Sequence, residues 1–385
     1  MYEKTLKCAG RIMLLLLFFG VPAQGAADPD IATIVAQVVP DSMDMTVRRL
    51  VAFDTRFMGS DSNAAASVWM GEKFATLGYP VVYDTFEVNA PRRTYSTGHS
   101  FAVSGLQQWN VIAEKRGTLF PKKKVVLGAH YDSISLDRPQ GAQDIAPGAD
   151  DNATGVAAVF EIARLLKDVD LDVTVVFALW GAEELGLAGS EHYAAQARAR
   201  NDDIVVMIQL DVIGTQSSTF PNAFSIDTAT SYLSHGEVLA LAAADYSNVR
   251  ALNGSDGQVI TSERGCRCSD HQPFIDQGYP ALGVFQYFFN SFSHINMSFD
   301  TIDKVDLDLV TGVTHATLAS VIQFAGFPGR SGDFDGDGKV NFTDFLQFVS
   351  AFDRDATGEF SRFDLDRDTR IGFSDFLIFA SVFGK

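Results

Sequence analysis

Cysteine is nearly absent from this chain, with three in 385 residues. Cys8 stands near the start and Cys266 and Cys268 form a C-R-C string, so no other cysteine exists to complete a thiolate metal site. Export would permit a Cys266–Cys268 bridge, but one intervening residue makes it geometrically tight, and bridge and free thiols both stay open. Basic charge is also scarce: 30 lysines and arginines face 48 aspartates and glutamates, for a net charge of −18 and a pI near 4.7. Phosphate recognition needs a basic face, so nucleic acid is excluded as a partner, and the acidity is read as solubility plus cation binding. Long apolar runs are missing too. The longest, Ile12 to Val21, is about half of the roughly 20 residues a membrane span requires.

That run sits in a leader. Lys4, Lys7 and Arg11 form a basic end, Ile12 to Val21 the apolar stretch, and Ala23-Gln24-Gly25 a small-residue cleavage site. Residues 1–25 therefore read as a bacterial-type signal peptide, and the expected location is secreted, periplasmic or extracellular. Cleavage would remove Cys8.

The region 28–327 alternates strand-like apolar runs with helical periodicity, and a hydrophobic content of 46% supports a large core. Val125 to Ala129, Val173 to Trp180 and Ile204 to Leu210 read as buried strands. Thr154 to Leu166 places Val156, Val159, Phe160, Ala163 and Leu166 at helical spacing. Strands alternating with helices predict an α/β fold whose mostly parallel sheet is covered on both faces. Gly326, Pro328-Gly329 and Ser331-Gly332 mark a break, and residues 328–332 read as a linker.

Beyond it, 333–385 contains a repeat whose copies start about 31 residues apart, at Asp333 and Asp364. In the first copy Asp333, Asp335, Asp337, Asn341 and Asp344 fall at the spacing of a calcium loop. Lys339 would offer its backbone carbonyl and Gly338 the sharp turn. The second copy supplies Asp364, Asp366, Asp368 and Asp375, with Arg370 at the carbonyl position. Thr369 replaces the turn glycine and Gly372 lacks a ligand side chain, so this site is expected to be weaker. The exiting helices, 344–352 and 375–383, carry phenylalanines expected to pack together, with metal supplementing a small all-α core. The tandem loops resemble dockerin and related calcium-loop modules. That resemblance implies one or two Ca²⁺ and a protein partner or cell-surface ligand. Phe342-Thr343 and Phe373-Ser374 stand at the positions that help dockerins choose cohesins and depart from a standard contact.

Five metal-type side chains occur in distinctive strings: His130 in GAHYDS, Asp151 in PGADDNATG, Glu184 in WGAEELG, Asp211 in IQLDVIG and His294 in NSFSHIN. One carboxylate bridging two zinc ions would make this set sufficient for both, leaving Glu183 free as a base. Asp132, two residues beyond His130, is placed to orient the imidazole. Because Glu183 and Glu184 are consecutive, their side chains diverge, so one can hold metal while the other reaches water.

The ordered set, over roughly residues 40 to 326, resembles the MH-clan zinc aminopeptidases (the twenty-eighth metallopeptidase family), which also include glutamate carboxypeptidase II and glutaminyl cyclases. The resemblance implies a mixed, mostly parallel sheet between helices. It assigns His130 and Asp211 to one zinc, Glu184 and His294 to the other, Asp151 to the bridge and Glu183 to general base. It also implies a cis peptide at Asp151–Asn152. The chain departs in its spacing: two more residues separate His294 from Asp300-Thr301 than in the family's H-x-x-x-D-T pattern. His315 lies in a predicted helix. Cys266 stands near a tyrosine position of some secreted members, and Asp270 and His271 read as structural or pocket-lining.

The reading that results is an exported dizinc exopeptidase, an aminopeptidase acting on peptide substrates. Glutaminyl cyclase-type acyl transfer, carboxypeptidase activity and a catalytically inactive binding protein are the alternatives.

Overall fold

The computed structural model describes residues 27–384 apart from 90–92, 95–99, 139–142, 253–259, 263–267, 288–292, 328–331, 336–338, 357 and 367–369. The leader, Cys266, Asp337 and Asp368 thus lie outside the described residues.

Three helices open the chain: α1 (Pro29–Val35), α2 (Pro40–Val51) and α3 (Asp61–Thr76). The first two begin with proline, whose fixed φ and missing N–H suit a first helical turn. α3 begins after Ser60, whose side chain accepts from Asn63 N at 3.0 Å. Strands β1 (Val81–Val88), β2 (Arg93–Thr94), β3 (Ser100–Phe101), β4 (Leu106–Lys115) and β5 (Phe120–His130) follow. Helix α4 (Thr154–Leu166), β6 (Val173–Trp180), α5 (Ala188–Arg200) and β7 (Asp203–Leu210) continue the alternation. Next come β8 (Ala223–Ala229), α6 (Leu233–Tyr246), β9 (Arg250–Ala251), β10 (Ile260–Ser262), α7 (His271–Asp276), β11 (Ala281–Gln286) and α8 (Leu307–Ala325).

Nine strands form one sheet in the order β1-β4-β6-β5-β7-β11-β8-β10, with β9 beside β8; β2 and β3 form a separate ribbon. Pairing is parallel through β6, β5, β7 and β11 and antiparallel at β1–β4, β4–β6 and β11–β8. The expected mixed, mostly parallel sheet is what the chain builds. β6 shows why its sequence is apolar throughout. Val173, Val175, Phe177 and Leu179 enter the core beneath α1–α4, α6 and α8, while Val176, Ala178 and Trp180 face the core beneath α5 and α7. A strand buried on both faces has no polar face to alternate.

The last helices, α9 (Phe342–Ala351) and α10 (Phe373–Val382), start two residues earlier than the sequence suggested. The difference comes from the caps. Asn341 accepts from Thr343 N at 2.8 Å, and Asp344 and Asp375 reach back to the backbone nitrogens of Asn341 and Gly372. Phe348 and Phe379 stack at 5.5 Å in a separate small core with Phe334, Phe363 and Ile371.

Candidate metal centre

Strands β6, β5 and β7 are adjacent and parallel, so their carboxyl ends lie together. β5 ends on His130, β6 runs into Gly181-Ala182-Glu183-Glu184, and β7 into Asp211. Sites in open α/β sheets form at such ends. Asp151 arrives from the turn before α4, where Gly148 takes φ 51° and the Asp151–Asn152 peptide is cis. Asn152 ties this turn to the end of β7: its amide donates to Leu210 O at 2.8 Å, and its carbonyl accepts from Val212 N at 3.3 Å.

His130 Nε2 lies 3.1 Å from Asp151 Oδ1 and 3.1 Å from Asp211 Oδ1. Ligand atoms of His130, Asp151 and Asp211 fall within 4.8 Å of one another, as do those of His130, Glu183 and Glu184. All but Glu183 are buried, and Glu183 is half-buried. The second set of contacts fixes orientation. Ser269 Oγ donates to Asp211 Oδ2 at 2.5 Å. Asp132 Oδ1 and Oδ2 accept from Glu183 N at 3.0 Å and Glu184 N at 3.2 Å. His130 Nδ1 is 3.2 Å from the Asp132 main-chain oxygen and 3.6 Å from Oδ1.

Crowding carboxylates out of water has a clear electrostatic effect. Burial pushes Glu183 and Glu184 well above the usual carboxylate range, and neighbouring acids add to it. Asp151 is raised by burial against the opposing pull of its hydrogen bond to His130. Burial opposes a charged His130, but Asp211 and Glu183 outweigh it and hold the imidazole well above its ordinary value. A divalent cation would reverse this balance by stabilising every ionised carboxylate at once. Imidazole nitrogen with carboxylate oxygens at this spacing is a donor set that zinc accepts, so the residues fit that ion.

His294 is placed elsewhere. Its Nε2 lies 3.1 Å from Asp150 Oδ2 and 3.2 Å from Thr215 Oγ1, and it belongs to neither metal-type group among the described residues. The expected pairing of His294 with Glu184 at one zinc is not among these contacts. Asp150 draws it away: this fully buried carboxylate also accepts from Gly214 N at 2.8 Å, Thr215 Oγ1 at 2.7 Å and Gln286 Nε2 at 2.9 Å. Glu184 is met instead by the Asn296 carboxamide, one end of which lies 2.6 Å from Oε1 and 2.9 Å from Oε2; with its nitrogen at that end it donates to both.

The roles of two further residues, Asp300 and Arg56, were not evident from the sequence. Asp300 accepts from Asp150 N at 3.0 Å and Asp151 N at 2.9 Å, fixing the bridging turn; the Asp300-Thr301 pair was the available clue. Arg56 is fully buried and donates to the carbonyls of Tyr131, Leu50, Pro147 and Gly148. Burial lowers its pKa to about 10, and Asp300, Asp132, Asp151 and Glu184 oppose that. Nothing local to Arg56 marks it. Asp270, expected to be structural, accepts from Ser190 Oγ at 2.5 Å and Gln209 Nε2 at 2.9 Å, and burial raises it to about 7. His271 pairs with Asp227 at 3.0 Å, away from the cluster.

In the C-terminal repeat, ligand oxygens of Asp333, Asp335 and Asp344 converge within 4.8 Å, as do those of Asp364, Asp366 and Asp375. Cys268 is held in a disulfide. Among the described residues no helix is long and apolar enough to cross a membrane.

The profile of peptidase family M28 matches residues 110–321, more than half of the chain. Leucine aminopeptidase 1 of Paracoccidioides brasiliensis (strain Pb18) is 26% identical over 315 residues, covering 79% of this chain and 76% of that protein. Among solved structures, BSAP, a zinc aminopeptidase from Bacillus subtilis, superposes with a TM-score of 0.60 at 16% identity, covering 74% of this chain and 95% of that one. A Porphyromonas gingivalis glutaminyl cyclase does so with a TM-score of 0.58 at 22% identity over 74% and 98%. At these identities the superpositions establish the shared fold alone.

Proposed function

The chain belongs to peptidase family M28, and from that membership we propose that it is a zinc-dependent aminopeptidase, exported, releasing N-terminal residues from peptides. The observation carrying this reading is that His130 stands in reach of both Asp151/Asp211 and Glu183/Glu184 at the ends of three adjacent strands. In a two-zinc form, His130, Asp151 and Asp211 would hold one ion, and Asp151 with Glu184 the other. Bound zinc lowers the pKa of water and polarises the scissile carbonyl.

The protein's own groups do the rest. Glu183 keeps partial access to solvent beside a buried Glu184, so its carboxylate takes the proton of the attacking water and returns it to the departing amine. Asp132 holds the Glu183 backbone against the strand end carrying His130. Ser269 fixes the rotamer of Asp211. Residues 1–25 direct export, and the 333–385 repeat binds calcium and presents a surface to a protein or cell-surface ligand.

Purified protein should be given peptides that differ at both termini, with and without a zinc chelator. Stepwise loss of N-terminal residues that the chelator stops and zinc restores is the expected outcome. Release of C-terminal residues, or cyclisation of N-terminal glutamine without peptide cleavage, would overturn the reading.

A further inference from the structure

The Glu184 side of the centre is closed by an amide. Asn296 directs its carboxamide at both oxygens of Glu184, at 2.6 and 2.9 Å, while His294 is engaged by Asp150 and Thr215. Counting back four residues from Asp300 leads to Asn296, not to His294. Asp300 is anchored on Asp150 N and Asp151 N, so that count is held in space as well as in sequence.

Backbone contacts pin Asn296 in this position. Leu136 N donates to Asn296 O at 2.8 Å, and Met297 N donates to His294 O at 3.0 Å across the turn. Asn296 has φ 61°, a left-handed conformation that asparagine tolerates and bulkier residues resist. Moving His294 to Glu184 would break its contact with a buried carboxylate. Asp150 would keep Gly214 N, Thr215 Oγ1 and Gln286 Nε2 but lose its imidazole partner.

A carboxamide has two useful faces. With nitrogen inward it donates to Glu184 and offsets the carboxylate when no cation is present. Rotated by half a turn, it puts an oxygen donor in the same place, as a cation shared with Glu184 requires.

We propose that Asn296, rather than His294, completes the second zinc position with Glu184, making that position the weaker of two. This rests on reading the cluster as a metal centre. The first position has an imidazole and two carboxylates converging on it. At the second, a neutral oxygen replaces imidazole, a preferred zinc ligand, and the Asn296–Glu184 hydrogen bonds must be exchanged before the ion is held.

Calorimetric zinc titration of the chelator-stripped full chain tests this, with bound zinc counted by elemental analysis. Wild type should bind in two unequal steps. Asn296→His should tighten the weaker step by at least roughly tenfold, the scale commanded even by a partner of a ligand. Asn296→Ala should weaken or abolish that step alone, and His294→Gln, which keeps a polar side chain toward Asp150, should leave both steps in place. Loss of one zinc equivalent in His294→Gln with two retained in Asn296→Ala would overturn the assignment while leaving the metal centre intact. Failure of wild type to bind any zinc would overturn the metal reading and this inference with it.

Discussion

Asp132 Oδ1 accepts a hydrogen bond from Glu183 N at 3.0 Å, joining the end of β5 to the loop after β6. The other carboxylate oxygen takes Glu184 N, so one side chain positions both consecutive glutamates. Asp132→Asn keeps the shape but replaces one acceptor with a donor that faces a backbone N–H. We expect a loss of about 10–100-fold in activity or zinc affinity. Steady-state kinetics and zinc titration check this, and unchanged values in both would remove Asp132 from the site.

Arg56 is a buried cation without a directly paired carboxylate among the described residues; it bonds four carbonyls beneath the acidic cluster. Arg56→Met should destabilise the fold by about 3–5 kcal/mol, because those carbonyls lose donors and the cluster loses a nearby positive charge. Urea unfolding followed by tryptophan fluorescence measures the change. A loss within experimental error of zero would show that the carbonyls find other partners.

Burial lowers the pKa of His235 from 6.5 to about 4, beside Phe324 and Tyr232. The unfolded chain therefore binds this proton at higher pH than the folded chain. His235 contributes its stabilisation above about pH 6.5 and loses it as pH falls toward 4, by on the order of 2 kcal/mol after allowance for partial exposure. His235→Phe should flatten stability over that window. An identical pH slope in the variant would show that His235 does not drive it.

The two loops of the C-terminal repeat should bind calcium unequally. Asp344 and Asp375 make the same backbone contacts, accepting from Phe334 N and Leu365 N at 2.6 Å each. The loops differ where Asn341 offers an oxygen and Gly372 none. Calcium titration should give a tighter and a weaker step, and Asp333→Ala should abolish the tighter one. Hydrogen exchange in α9 and α10 should speed up when calcium is withdrawn. Exchange indifferent to calcium would contradict the reading.

Much of the central sheet could be read from the sequence because β5, β6 and β7 are buried on both faces and stand out as unbroken apolar runs. Helix α4 was equally clear, since its apolar positions recur at helical spacing. His130, Asp151, Glu184 and Asp211 could be read because each sits at the junction of a strand or turn with a loop. Other groups depend on contacts between distant parts of the chain. Asp300 meets Asp150 across 150 residues and Arg56 meets Gly148 across 92, and no local string encodes either meeting. His294 is a related case. Histidine drew attention as a metal-type residue, while Asp150, which captures it, looked like a mere neighbour of Asp151.

The central claim is that Glu183 moves the proton in peptide hydrolysis without being needed to hold zinc. Glu183→Gln preserves size and backbone contacts, so the measurement is turnover of an N-terminally free peptide together with zinc content of the same sample. Turnover should fall by about 10²–10⁴-fold while zinc content stays at the wild-type value. Wild-type turnover with zinc retained would contradict the account.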